Sequence, residues 1–118
     1  MKVLIVERDP ELGKLWRDHI ERMGASAELV HAKSTALEAM RSNTHDVLIL
    51  NLNFRDRGAF AMADYASYRR PEMKIIFVTS DTFFSDGSIF RYMSNAAAMI
   101  PLSTPPEDLA ALVDYHGR

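Results

Sequence analysis

The sequence predicts an α/β domain built on a parallel sheet of five strands, each followed by a helix. Three observations predict it. Short apolar runs rich in β-branched residues recur at Val3 to Val6, Asp46 to Leu50 and Lys74 to Thr79, the pattern of strands covered on both faces. Segments with helical spacing and helix-start residues lie between them. Strand and helix then alternate five times, an order that implies a parallel sheet with helices on both faces.

The elements follow in order. After the first strand, Asp9-Pro10 makes a helix start, with Asp9 as N-cap and Pro10 at the first helical position. Leu12, Leu15, Trp16, Ile20 and Met23 continue at helical spacing, and Gly24 ends that helix. Ala27 to His31 forms a weaker second strand. Ser34 is in place to cap a second helix whose apolar stripe is Leu37 and Met40 with nearby alanines. The third strand ends at Asn51-Leu52-Asn53, before a polar loop holding Arg55, Asp56, Arg57 and Gly58. An alanine-rich third helix spans Ala59 to Tyr68 and closes at Arg69-Arg70-Pro71. A short fourth helix is expected over Ser88 to Ser94, and a last strand over Ala97 to Leu102. Thr104-Pro105-Pro106-Glu107 reads as a capping box with proline in the first turn, opening a fifth helix that buries Leu109, Leu112 and Val113.

Bulk properties bound the function classes. A chain of 118 residues is one domain on ordinary size priors and buries roughly two-thirds of its unfolded surface, enough for a core without staples. There are no cysteines, so disulfides and thiolate metal sites are excluded. That composition fits the cytoplasm. The net charge of −2, with both signs mixed along the chain, lacks the basic footprint of a nucleic-acid binder. No apolar run reaches the length of a membrane span, and Met1 to Val6 is too short for a signal peptide. There is no glycine-rich phosphate loop, no Gly-x-Ser-x-Gly elbow and no Cys/His pair for nucleophilic catalysis. His19, His31, His45 and His116 lie in different elements without ligand spacing, so surface positions are expected for most of them. The chain reads as a non-enzyme.

In parallel α/β sheets the functional crevice lies at the carboxyl ends of the strands. Those ends here are Glu7-Arg8-Asp9, Asn51 to Asn53, Thr79-Ser80-Asp81 and Leu102-Ser103. Four stretches resemble the receiver domains of response regulators. Val3-Leu4-Ile5-Val6-Glu7-Arg8-Asp9-Pro10 is similar to the first strand of that family, where two acids follow the apolar run. Asp46 to Asn53 is similar to its third strand, with Asn51 at the place of the phosphate-accepting aspartate. Ile75 to Ser80 is similar to the fourth strand and ends in the family's Thr or Ser. Asn95 to Ser103 is similar to the segment that carries the fifth strand and a Lys-Pro pair. The resemblance spans the whole chain as one domain, residues 1–118. It implies a flavodoxin-like (βα)5 doubly wound sandwich with strand order 2-1-3-4-5, no output domain in this chain, and a place in two-component or phosphorelay signalling.

The same resemblance implies a chemistry. An aspartate attacks phosphorus, carboxylates hold Mg²⁺, and a lysine and a hydroxyl bind the phosphoryl oxygens. This sequence departs from it at most of the matched positions. Asn51 is a poor, uncharged nucleophile. Arg8 replaces the second acid, Leu102 stands at the lysine and Ser103 at the proline, and Met99 stands where an aromatic switch is expected. Glu7 and Thr79 keep the family's residue types. Mg²⁺ binding is therefore expected to be weak or absent, and no other cofactor is implied. Arg8 either reaches into the crevice, pairing with Glu7 or bonding the Asn51 carbonyl in place of the metal and lysine, or points to solvent near Asp9 or Asp56. Asp9, Asp56 and Asp81 stand near the same rim; one of them as a relocated acceptor or ligand is the alternative to the favoured reading, helix capping for Asp9 and loop solvation for the others.

Phe83-Phe84, with Phe90, Tyr92 and Met93 nearby, suggests a contact surface. The expected function is an atypical receiver that acts by protein–protein docking. Its expected partner is a histidine kinase, a phosphotransfer protein or another regulator, or a second copy through the face of the fourth helix, fifth strand and fifth helix. Neither nucleic acid nor a membrane is expected as a partner. Two alternatives stand beside it: a small-ligand sensor using the altered crevice, and a receiver phosphorylated at an unusual carboxylate.

Overall fold

The computed structural model describes residues 1–53, 58–80 and 93–118. Along them run β1 (Lys2–Val6), α1 (Pro10–Arg22), β2 (Ser26–Val30), α2 (Lys33–Ser42), β3 (Val47–Asn51), α3 (Gly58–Arg69), β4 (Lys74–Thr79), β5 (Ala96–Pro101) and α4 (Pro106–Gly117). The strands form one sheet in the order β2-β1-β3-β4-β5, and every neighbouring pair is parallel, as the alternation of elements predicts. The C-terminal helix α4 is the fifth helix of the sequence reading. The short helix expected over Ser88 to Ser94 falls mostly outside the described residues, as do Phe83, Phe84, Phe90, Tyr92, Asp56 and Asp81.

Side chains alternate across a strand, and here both faces are covered. Leu4, Val6, Leu48, Leu50, Ile75 and Phe77 pack under α2 and α3 with Met40 and Met62. Val3, Ile5, Val47, Ile49, Ile76 and Val78 pack under α1 and α4 with Trp16, Ile20, Leu109 and Val113. That double burial is why the strand sequences are apolar runs and not alternating patterns. At the edge of the sheet, β5 is tied down by Asn95. Its amide donates to the Met73 carbonyl at 2.9 Å and accepts from the Ser67 hydroxyl at 2.8 Å.

The start of α1 follows the sequence closely. The Asp9 carboxylate accepts from the backbone N–H groups of Glu11 at 3.0 Å and Leu12 at 3.4 Å, with Pro10 in the first turn. Gly24 follows the helix at φ 102°, a left-handed conformation that favours glycine. Two other caps differ from expectation. Ala32, not Ser34, is the N-cap of α2, and the helix has already begun when Ser34 is reached. The Thr35 hydroxyl bonds the Ala32 carbonyl instead. The N-cap of α4 is Pro105, which has no side-chain donor or acceptor to offer. Thr104 turns back and donates to the Pro101 carbonyl at 2.7 Å, so the expected capping box does not form.

Three side-chain placements are also corrected. Leu15 lies at helical spacing with the buried stripe yet is 43% exposed, because α1 turns Trp16 and Ile20 inward and leaves Leu15 at the margin. His45 is buried, held through Nε2 by the Glu28 carboxylate at 2.9 Å. Met93, read with the aromatic cluster as a surface residue, is buried in the layer beneath α2 and α3.

The register sets the functional edge. Val6 pairs with Leu50 and Leu50 with Phe77, so Glu7, Asn51 and Val78 come level at the carboxyl ends of β1, β3 and β4. Thr79 pairs with Pro101 one step further on. No helix among the described residues is long and apolar enough to cross a membrane. Trp16→Ala is expected to cost about 3–5 kcal/mol in urea unfolding, whereas Leu15→Ala stays within about 0.5 kcal/mol of the parent. Equal losses at the two positions would contradict the placement of α1.

Candidate functional site

Glu7 leaves the end of β1 and Asn51 ends β3, the central strand of the sheet. Both side chains are withdrawn from solvent, at 3% and 6% exposure. Asn51 Nδ2 donates to Glu7 Oε2 at 2.6 Å. The other Glu7 oxygen accepts from the Asp9 backbone N–H at 3.0 Å. Asn51 Oδ1 accepts from the Asn53 backbone N–H at 2.9 Å. Each end of the amide therefore meets its complement: the NH₂ faces a carboxylate, and the carbonyl faces an N–H. A hydrogen bond to a charged acceptor contributes about 1.5–3 kcal/mol, and breaking one here would strand a buried carboxylate.

The chain of bonds extends to the next strand. Asn53 Nδ2 donates to Ser80 Oγ, just past β4, at 2.9 Å. The Leu52 N–H bonds the Val78 carbonyl at 2.8 Å, fixing the backbone that carries Asn51 and Asn53. This last bond has a chemical consequence. Spontaneous conversion of asparagine to aspartate begins with attack by the following backbone nitrogen on the side-chain carbonyl carbon. Here that nitrogen is held against Val78, so the route from Asn51 to an aspartate is obstructed.

Glu7, Arg8, Asp9, Asn51 and Asn53 line an open groove of about 350 Å³. Arg8 is exposed on its rim. The two acceptors proposed for Arg8 from the sequence, the Glu7 carboxylate and the Asn51 carbonyl, are engaged by neutral donors, namely the Asn51 amide with the Asp9 N–H, and the Asn53 N–H. Asp9 acts as the cap of α1 through its carboxylate. His31, at the end of β2, bonds the Glu7 backbone carbonyl through Nδ1 at 2.9 Å. A carbonyl only accepts, so that nitrogen carries the proton.

The remaining matched positions lie away from the groove lining. Thr79 is buried at the end of β4 with 7% exposure, and its carbonyl accepts from the Leu102 N–H at 3.0 Å. The Leu102 side chain packs against the layer beneath α1 and α4, so an apolar contact stands where the resemblance places a cation. Met99, opposite Phe77 on β4, packs against the layer beneath α2 and α3. A hard divalent cation takes several oxygen ligands, mostly carboxylates. The donor set here is the Glu7 carboxylate with both oxygens already bonded, the Asp9 carboxylate engaged as the cap of α1, and an amide that presents its NH₂, beside a guanidinium. It fits such an ion poorly. Among the described residues no group of three or more acids and histidines is placed to hold a metal.

Sequence reasoning singled out Glu7, Asn51 and Thr79, and the structure brings the first two into direct contact. It missed Asn53 and Ser80 as partners. Their sequence signal was weak, two polar residues following strand ends, and only the parallel register of β3 against β4 brings them together.

Comparisons with known proteins bear on this arrangement. No protein-family model matches the chain. A curated relative, the transcriptional regulatory protein RprY of Bacteroides fragilis, is 28% identical over 86 residues, 73% of this chain. The matched segment is 36% of that protein's length, so the chain spans about a third of the relative. Among solved structures, a CheY-like response regulator receiver domain protein from Methanospirillum hungatei superposes with a TM-score of 0.87 at 22% identity, covering 98% of this chain and 92% of that one. The non-phosphorylated HemR receiver domain of Leptospira biflexa superposes at 0.86 with 21% identity, covering 98% and 93%. Over nearly its whole length the chain has the fold of response regulator receiver domains, and over 86 residues its sequence is similar to a transcriptional regulatory protein.

Proposed function

We propose that this receiver domain works in two-component or phosphorelay-type signal transduction by docking, without aspartyl phosphorylation. The observation that carries the reading is the bond from Asn51 to Glu7 at 2.6 Å. A phosphorylatable crevice holds clustered carboxylates whose repulsion a divalent cation offsets. Here the uncharged Asn51 amide takes the place of one carboxylate and donates to the other, so that repulsion does not arise. It is a poor nucleophile, and it occupies the carboxylate that a metal would need. Arg8 on the groove rim and Leu102 packed against the layer beneath α1 and α4 add to the reading, since a cation opposes metal binding and an apolar side chain cannot neutralise a phosphoryl group.

The domain is accordingly a binding module in the cytoplasm, not an enzyme, and it needs no Mg²⁺ or other cofactor. Its partner is a signalling protein: a histidine kinase, a phosphotransfer protein, another regulator, or a second copy through the face that includes β5 and α4. Nucleic acid and membrane are not its partners.

Two outcomes test the reading. Incubated with acetyl phosphate and Mg²⁺, the chain is expected to show no added phosphoryl group in intact-mass spectra, and Asn51→Asp is expected to remain unlabelled because Arg8 and Leu102 persist. Robust labelling of the parent would overturn the proposal, and labelling of the variant alone would show that those two positions matter less than argued.

The same variant has a stability signature. Asn51→Asp sets a second carboxylate against Glu7 with the amide donor gone, and is expected to cost about 1–3 kcal/mol at neutral pH. One proton shared between the two relieves the repulsion. The variant's folded state then binds more protons than its unfolded state, so its deficit shrinks as pH falls towards the carboxylate range. Urea unfolding of parent and variant at pH 7.5 and pH 5 measures the difference, and a deficit that grows on acidification would contradict the crowding of the two groups.

A further inference from the structure

We infer that Asn53 couples the Glu7 groove to the end of β4, so that a change at the Glu7 carboxylate is transmitted to Ser80. The inference goes beyond the docking proposal and holds or fails independently of it. Three bonds in series carry it: Asn51 Nδ2 to Glu7 Oε2 at 2.6 Å, Asn53 N to Asn51 Oδ1 at 2.9 Å, and Asn53 Nδ2 to Ser80 Oγ at 2.9 Å. The line crosses β1, β3 and β4, which are neighbours in the sheet.

The polarity of the series is consistent along its length. A carboxylate drawing on the Asn51 N–H enriches the carbonyl of the same amide, and hydrogen bonds that share a conjugated group strengthen one another. The stronger carbonyl holds the Asn53 N–H, and that backbone position directs the Asn53 side chain at Ser80. The Leu52 N–H is meanwhile fixed to the Val78 carbonyl at 2.8 Å. Asn53 thus sits one residue beyond an anchored point, held from β1 through Asn51 and reaching β4 through its own amide. Weakening the Glu7 end frees the Asn51 amide to turn, and the Asn53 N–H and the Ser80 contact loosen with it. A cationic group entering the groove and competing for Glu7 would have this effect.

Asn53 and Ser80 are exposed, so their bond exchanges readily with water and contributes little to global stability. The coupling is therefore read residue by residue, in the ¹H–¹⁵N shifts of the labelled full chain. Glu7→Gln removes the charge while keeping the shape. It is expected to displace the Ser80 amide resonance well beyond the scatter of amides remote from the groove. In an Asn53→Ala background the same substitution is expected to leave Ser80 within that scatter, the non-additivity expected of coupled positions.

An equal displacement of Ser80 in both backgrounds would overturn the inference, because the strands alone would then carry the effect. So would no displacement in the parent. If Glu7→Gln fails to fold, the reverse direction serves. Ser80→Ala alters an exposed hydroxyl and is expected to shift the Asn51 side-chain amide in the parent but not with Asn53→Ala. Unchanged Asn51 resonances would then count against the coupling.

Discussion

The bond between Asn51 and Glu7 organises the functional edge of this domain, because it resolves an electrostatic problem that the fold creates. A parallel α/β sheet covered on both faces brings the ends of its central strands together at one edge. In this chain that places the residue after β1 and the last residue of β3 level with each other and out of solvent. Two carboxylates in those positions would need a cation between them. A carboxylate and an amide need nothing further, since the amide donates directly to the charge. The other Glu7 oxygen and the Asn51 carbonyl are each met by a backbone N–H from a neighbouring turn. The turn that starts α1 and the turn that leaves β3 are both fastened to this pair.

The same pair changes what the crevice can do. Anionic crevices of this architecture suit reactions at phosphorus because they concentrate a divalent cation and a nucleophilic oxygen. With Asn51, the nucleophile becomes an amide and the spare negative charge disappears. Arg8 at the rim and the partly buried Leu102 move the balance the same way. What remains is a polar groove of about 350 Å³ with one buried carboxylate whose two oxygens each accept a hydrogen bond. On the docking proposal, that groove holds a fixed shape for a partner.

The fold was legible because its signals are collective. Whole runs such as Val47 to Leu50 must be apolar to lie between two helical layers, and a helix start such as Asp9-Pro10 is specified by local stereochemistry. Single side chains were less legible. Leu15 fits the helical period yet faces outward, because the period cannot say where the stripe ends. Ser34 and Thr104 are good capping residues in isolation, but each lost to a local alternative: a helix that began two residues early, and a hydroxyl that turned back to Pro101. His45 is buried because Glu28, seventeen residues away in sequence, arrives from the neighbouring part of the sheet to meet it. Asn51 and Glu7 could be named from the sequence by position, but their mutual bond could not. The sequence reading left Arg8 between the crevice and solvent and did not foresee the Asn51 amide as a donor to Glu7.

The most direct test of this account is the state of the Asn51 side-chain amide in solution. In a ¹³C,¹⁵N-labelled sample its two protons should exchange slowly, and one should lie well downfield of the surface side-chain amides with a through-bond coupling to the Glu7 carboxylate carbon. These features should persist unchanged between buffer with a chelator and buffer with millimolar Mg²⁺. An Asn51 amide that exchanges like a free side chain, or one whose resonance moves in a saturable way with Mg²⁺, would contradict the claim that the amide has taken the metal's place.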